Sequence, residues 1–364
     1  MRKRLLPIVA MLSLLCAFLA GCAAPSAAEP GEDYSSAFIG TWDLVSFEGS
    51  EDVPLADEEI AFMRVNGKVM RLTLSEDGSW QLSFTDAENE SGGVWDASSA
   101  TSCVLTTDGE AIDASLDPAT GRLTLASGPT TMVFMRSYEP DAEIDPSDIF
   151  TGPWDLVAMI GSEELILSRD TIRILTLSGY ASGLDLREDG TWAFFIRDDM
   201  EGSGTWSVRD ATSCILTLEG EDAEVLFDPL TGYLVYPAGP TAFIFLRDWD
   251  PHAEGAGEDA GGLVGSWELE ELVADDPEDS RSIEENQHLR DLGYVVTLTL
   301  YGDGTYVIDI YGTERLTGYW IATSPTEAMA ASNGTFTSFS YDPDTGRLAH
   351  IEGSSTSYYV RTTG

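Results

Sequence analysis

The sequence predicts an all-β chain of three tandem small antiparallel β-barrels, about eight strands each, and three observations carry that expectation. A set of short motifs recurs three times in one fixed order. Within each recurrence apolar residues alternate around turn residues, as half-buried strands require. The repeating unit, at about 100 residues, is long enough to bury a core of its own.

The recurrence opens on a first strand. Gly40-Thr41-Trp42-Asp43-Leu44-Val45 returns as Gly152-Pro153-Trp154-Asp155-Leu156-Val157 and again as Gly265-Ser266-Trp267-Glu268-Leu269, with the tryptophans 112 and 113 residues apart. A variable segment follows, at 54–68, 163–183 and 275–293. The third of these, from Ile283 to Leu292, has the composition of a short helix that caps one mouth of its barrel.

Next comes a hairpin. Asp77-Gly78-Ser79-Trp80 answers to Asp189-Gly190-Thr191-Trp192 and Asp303-Gly304-Thr305-Tyr306, each between alternating apolar runs. Asp-Gly tolerates the positive φ of a tight turn. The aromatics Trp80, Trp192 and Tyr306 sit just after that turn, so they either line a ligand mouth or pack across strands in the core; the second reading is favoured.

Trp95 is matched by Trp206 and Trp320. After it Asp117-Pro118-Ala119-Thr120-Gly121 is matched by Asp228-Pro229-Leu230-Thr231-Gly232 and Asp342-Pro343-Asp344-Thr345-Gly346. Proline presets φ, the aspartate accepts backbone hydrogen bonds and glycine takes the left-handed position, which makes this a turn. It lacks the alternating acidic ligands of a calcium loop. Every copy then ends on an apolar strand closed by Arg136, Arg247 or Arg361.

In the first copy the strands are expected near 39–47, 69–75, 79–85, 92–97, 102–107, 110–116, 122–126 and 130–136. An even number of antiparallel neighbours closes on itself and removes exposed edges. The copies span 37–138, 148–249 and 262–364. Acidic, Pro-bearing stretches after the first two arginines read as linkers, so the expected arrangement is three independent beads on a string.

A Gly-x-Trp that opens the first strand and an arginine that closes the last resemble the lipocalins, in particular the short lipocalin-like domains of exported bacterial lipoproteins. The resemblance covers most of the chain, three times over. It implies that Trp42 meets Arg136, Trp154 meets Arg247 and Trp267 meets Arg361, the guanidinium lying on the indole at the closed end of each barrel, a contact worth ~0.5–2 kcal/mol. It also implies an interior that holds small apolar or amphipathic molecules. The units are shorter than typical secreted lipocalins and lack a Thr-Asp-Tyr element, which argues against a deep calyx.

At the N-terminus Arg2, Lys3 and Arg4 precede an apolar run from Leu5 to Leu19 and the sequence Leu19-Ala20-Gly21-Cys22. A charged start, an apolar stretch and small residues are the layout of a cleaved export signal. The residues before Cys22 resemble the lipobox of bacterial lipoproteins, so 1–21 is expected to be removed, Cys22 to carry the lipid and 22–36 to serve as a flexible tether. The protein would then sit on the extracytoplasmic face of the cell membrane. Sixteen basic and 63 acidic residues remain after cleavage, a net charge of −47. Such a surface excludes nucleic acid as a partner, because phosphate contacts need Lys and Arg.

The two remaining cysteines, Cys103 and Cys214, occupy matching places in two copies while Ala328 fills the third, which suits small buried hydrophobes better than a disulfide. His252, His288 and His350, all the histidines of the chain, fall at unequal places. A Ser-His-Asp or Cys-His site shared by the copies is thereby excluded, no zinc spacing or phosphate-cradling glycine loop is present, and paired carboxylates among the 63 acids are the catalytic option left, as a third-ranked hydrolase reading. No cofactor, metal or catalytic residue is expected. The leading expectation is a non-catalytic, membrane-tethered protein whose barrels hold small apolar ligands. The alternative is a structural or interaction module of the envelope with a protein partner and no small ligand.

Overall fold

The computed structural model describes residues 34–48, 55–85, 91–139, 144–161, 165–197, 199–253, 255–332 and 335–362. The expected signal segment, Cys22 and all but the last residues of the tether lie outside them.

Three closed antiparallel barrels follow one another along the chain. The first is built from β1 (Gly40–Glu48), β2 (Met70–Leu74), β3 (Ser79–Phe84), β4 (Ser91–Ser99), β5 (Ser102–Thr107), β6 (Glu110–Asp117), β7 (Arg122–Ser127) and β8 (Thr130–Arg136). Each strand pairs with the next and β8 returns to β1. A helix, α1 (Asp57–Val65), lies between β1 and β2.

The second copy begins with a short helix, α2 (Pro146–Phe150), and continues through β9 (Gly152–Ile160), the three-residue β10 (Leu165–Leu167) and α3 (Arg169–Leu177). It goes on through β11 (Ser182–Leu186), β12 (Thr191–Ile196), β13 (Asp199–Asp210), β14 (Ser213–Leu218), β15 (Glu221–Asp228), β16 (Tyr233–Ala238) and β17 (Thr241–Leu246). Pairing of β17 with β9 closes it, with β10 as an extra strand at the end of β9. The third has β18 (Gly265–Val273), α4 (Ile283–Asp291), β19 (Val296–Leu300), β20 (Thr305–Ile310), β21 (Glu314–Ala322), β22 (Glu327–Ser332), β23 (Thr335–Asp342), β24 (Arg347–Glu352) and β25 (Ser355–Arg361).

Closure depends on the first strand of each copy, which pairs with the second strand through its first half and with the last strand through most of its length. A register shift falls at the same place each time, after Leu44, Leu156 and Leu269. One extra residue there bends the strand, which lets a small sheet curl onto itself.

The turns repeat as well. Asp77, Asp189 and Asp303 each accept hydrogen bonds from the backbone N–H and hydroxyl two residues on, and Gly78, Gly190 and Gly304 have φ near 80°. In the later turn, the Asp117 and Asp342 carboxylates accept from the hydroxyls of Thr120 and Thr345 and from backbone N–H groups, which holds both below the usual carboxylate range.

Inside, each barrel has its own apolar core, containing Trp42, Leu72, Leu105 and Phe134 in the first, Trp154, Leu184, Leu216 and Phe245 in the second, and Trp267, Leu298, Trp320 and Phe339 in the third. The three are not beads on a string, however. The α1 residues Ala61, Phe62 and Val65 join the core cluster of the second barrel, so the sequence expectation of independent units is corrected. The physical reason is that a helix between β1 and β2 has two faces, and only one is used by its own barrel.

Candidate functional site

The closed end of every barrel is one repeated construction. The indole Nε1–H groups of Trp42, Trp154 and Trp267 donate to the carbonyls of Phe38, Phe150 and Leu263, at 2.9, 2.8 and 3.0 Å. Those carbonyls belong to a helical turn that leads into the first strand: Ser35–Ala37, α2 and Glu258–Gly262. The guanidinium carbons of Arg136, Arg247 and Arg361 lie 4.5, 4.4 and 4.7 Å from the centroids of the same indoles.

Each arginine also donates to two carbonyls of that turn: Ala37 and Ile39, Ile149 and Thr151, Gly262 and Val264. A helical end leaves such carbonyls without partners, and the positive group meets the negative end of the turn. The glycine two residues before each tryptophan has φ of 125–144°, a region closed to side chains, and at Gly40 an added Cβ would lie 2.7 Å from an Arg136 nitrogen. The plug itself went unread in the sequence. Its signal is the apolar residue four places before each tryptophan: Phe38, Phe150 and Leu263, all fully buried.

Trp80, Trp192 and Tyr306 point into the barrels and are at most 7% exposed. Each ring lies over a glycine directly opposite on the next strand: Gly93, Gly204 and Gly318. A Cβ at Gly93 would come 2.9 Å from Trp80 Nε1, and one at Gly204 2.8 Å from Trp192 Nε1, and both would run into the carbonyl of Thr106 or Thr217. The two indoles donate to those same carbonyls. These rings fill the interior, and Tyr306 also borders a cleft against the outside of the third barrel. Beneath α1, at the far end of the first barrel, the apolar space among Phe47, Ile60, Met63 and Phe84 measures about 20 Å³. That is room for about one water molecule.

Titratable groups in the cores are held neutral. Cys103 and Cys214 lie buried in different barrels, and burial pushes both thiols up to about 12. His350 packs 4.8 Å from the Phe339 ring, its Nε2 has no hydrogen-bond partner, and burial pushes it down to about 4. Among the described residues no cluster of His, Cys, Asp and Glu is arranged to hold a metal ion, and no helix is long and apolar enough to cross a membrane.

Polar chemistry concentrates instead where barrels meet. At the first junction α1 packs against β15, β16 and β17. Arg64 and Asp228, both almost wholly buried, form a two-pronged pair with Nε–Oδ1 at 2.8 Å, and Arg64 also donates to the Leu44 carbonyl. Asp228 is the aspartate of the second barrel's Asp-Pro-x-Thr-Gly turn, turned to this use while its equivalents stay exposed. Beside it the buried Glu58 accepts from the Tyr233 hydroxyl at 3.1 Å and pairs with Arg169 at 3.4 Å. Burial, then the Glu58 charge, raises the Tyr233 phenol far above its ordinary value.

At the second junction α3 packs on β21 and β22. Ile174 is buried against Ile321 and Ala331 on the outer face of the third barrel. Arg173, 2% exposed, donates to the carbonyls of Pro251 and Gly255 in the connecting segment. That segment is itself hydrogen-bonded to the third barrel through Ala256 to Gly302 and Ala322. Among the described residues the corresponding helix α4 packs on its own first strand and on no other barrel. Where α1 presents Ala61, Phe62 and Val65 and α3 presents Arg173, Ile174 and Leu177, α4 presents Gln287, His288 and Asp291, all exposed.

No protein-family model and no curated protein matches the chain. Among solved structures it is similar to a protein of unknown function of the DUF3598 family from Nostoc punctiforme, at 10% identity over 91% of this chain and 100% of that one, with a TM-score of 0.19. It is also similar to a family 43 glycoside hydrolase, YxiA, from Bacillus licheniformis, at 9% identity over 88% and 91% of the two chains, with a TM-score of 0.20. A third is the DNA polymerase III beta chain of Streptococcus pneumoniae, at 10% identity over 93% and 95%, with a TM-score of 0.15. Likenesses this low say nothing about what the chain does.

Proposed function

We propose that this is a non-catalytic protein of the cell envelope, tethered to the outer face of the membrane through Cys22, whose three barrels form one fixed array that acts as a spacer and protein-interaction platform. The observation that carries this reading is the packed interior: Trp80, Trp192 and Tyr306 take up the space in which a lipocalin-like barrel would hold a ligand. Of the two expectations drawn from the sequence, the interaction module is therefore favoured over the carrier of small apolar molecules. The docked helices add to it, because barrels joined through buried ion pairs at one junction and an apolar contact at the other present their outer faces at set spacings, and that favours multivalent contact.

Native mass spectrometry of the full chain extracted from membranes tests the central point. The expected mass is that of the chain with its lipid and nothing else. A further apolar adduct that survives removal of detergent would refute the solid-barrel reading. Loss of membrane association in Cys22→Ala is expected, and its retention would refute the tether.

A further inference from the structure

We propose that a cleft at the second junction, between the C-terminal end of α3 and the outer face of β20 and β21, binds a neutral oligosaccharide. The cleft has a volume of about 430 Å³ and is lined by Leu177 and Ser178 of the second barrel and by Tyr301, Thr305, Arg315 and Tyr319, among others, of the third. Its size falls within the ~300–1,000 Å³ typical of small-molecule sites, which favour the boundary between domains. The contact of Ile174 with Ile321 and Ala331 sets its two walls before any ligand arrives, so little ordering cost remains for binding.

The lining chemistry selects the ligand class. Tyr301 is 42% exposed, neither its hydroxyl nor that of Tyr319 has a hydrogen-bond partner among the described residues, and the Tyr319 ring meets His252 edge-on at 5.8 Å. Tyrosine rings pack on the C–H faces of sugar rings while their hydroxyls, with that of Thr317, exchange hydrogen bonds with sugar hydroxyls, and the Ser178 hydroxyl, which donates to the Ile174 carbonyl, accepts one.

Arg315 is the second indication. The buried arginines of this acidic chain are all engaged, as Arg64 is by Asp228 and Arg173 by backbone carbonyls. Arg315 faces Asp309 across the strand pair yet forms no ion pair or hydrogen bond with any described residue. Its five planar donors can reach two neighbouring oxygens at once, adjacent sugar hydroxyls among them. An acidic ligand is disfavoured by the net charge of −47 that remains after cleavage, and an apolar one would leave the guanidinium and hydroxyls without partners.

The test is saturation-transfer NMR and titration of the full chain, held in a detergent without a sugar headgroup, against maltotriose, cellotriose, the trimer of N-acetylglucosamine and trigalacturonate. At least one of the neutral trisaccharides is expected to bind, with an affinity indifferent to salt. Arg315→Ala and Tyr301→Ala should each weaken it by about tenfold or more, while Arg122→Ala, a change at an exposed arginine of the first barrel, leaves it unchanged. Both site residues are exposed, and unchanged melting of the variants confirms folding. Silence from all three neutral sugars, undiminished binding in both site variants, or preference for trigalacturonate overturns the proposal.

Discussion

Replacing the indole at a closed end separates its two contributions, because phenylalanine keeps an aromatic face for the arginine but has no N–H for the turn. Trp154→Phe leaves the Phe150 carbonyl, buried with its ring, short of a donor. An unmade buried hydrogen bond costs ~1–3 kcal/mol, and urea unfolding should show a loss in that range. A change of no more than a few tenths would mean that the indole N–H does not hold the turn. Gly93→Ala tests the interior device: the new methyl meets the Thr106 carbonyl, which is sheet backbone and cannot swing aside. Overpacking of this kind costs about 1–3 kcal/mol, and an unshifted melting temperature would show that the ring does not need the bare backbone beneath it. His350 adds a dependence on pH. In the unfolded chain it takes up its proton near 6.5, in the folded barrel only near 4, so between those values the unfolded state holds more protons. Stability is therefore unaffected above about pH 6.5 and falls as the pH drops toward 4, by about 3 kcal/mol in all at 1.36 kcal/mol per unit. Comparing urea midpoints at about pH 7 and pH 5, His350→Leu should lose less on acidification than the parent; equal losses would assign the acid sensitivity to other groups.

At the scale of elements, what was legible and what was not divides along one line. Strands could be read because the alternation of Leu72, Leu74, Trp80, Leu82 and Phe84 around Asp77-Gly78 has one meaning, and because each motif returned three times. The pairing of Trp42 with Arg136 required only the two ends of a recurring unit and the resemblance they carry. The helix of the third copy could be read from Ile283 onward, but those of the first two copies resisted. In α1, Asp57–Val65, Ile60 serves the first barrel while Ala61, Phe62 and Val65 serve the second, so apolar residues spread around the helix and no single stripe stands out. Nothing local in the sequence marks the partners of Arg64 and Arg173, which lie 164 and 78 residues away. The α1 helix nonetheless makes a testable claim. Arg64→Ala leaves Asp228 buried without its partner, and breaking a buried pair from one side costs ~3–5 kcal/mol. Much of that loss should disappear in the double variant Arg64→Met with Asp228→Asn, which removes both charges. If the double variant is no more stable than the single one, the stranded charge is not the cause.

For the whole molecule, the helix faces separate the two helices that grip a neighbouring barrel from the one that does not. Arrays of docked units need a terminal unit with a polar outer face, since an apolar one would recruit further copies. Gln287, His288 and Asp291 supply that face on α4, in the places where α1 and α3 carry the side chains that grip the next barrel. The two docked junctions make the relative positions of the barrels a property of the fold, and the spacing of any partner sites with them. The second junction is the more exposed to test, because its apolar contact rests on Ile174 against Ile321 and Ala331. Ile174→Asp places a carboxylate in that contact, where a charge without a partner is strongly disfavoured. Small-angle scattering of the variant should show a larger maximum dimension and the profile of a jointed chain, while circular dichroism keeps the β signal of three intact barrels. Thermal unfolding should split, with the third barrel melting apart from the first two. The same substitution at the matching place on the last helix, His288→Asp, should alter neither profile nor melting. If Ile174→Asp scatters as the parent does, the barrels are held by something other than their helices, and the fixed-array reading loses its mechanical basis.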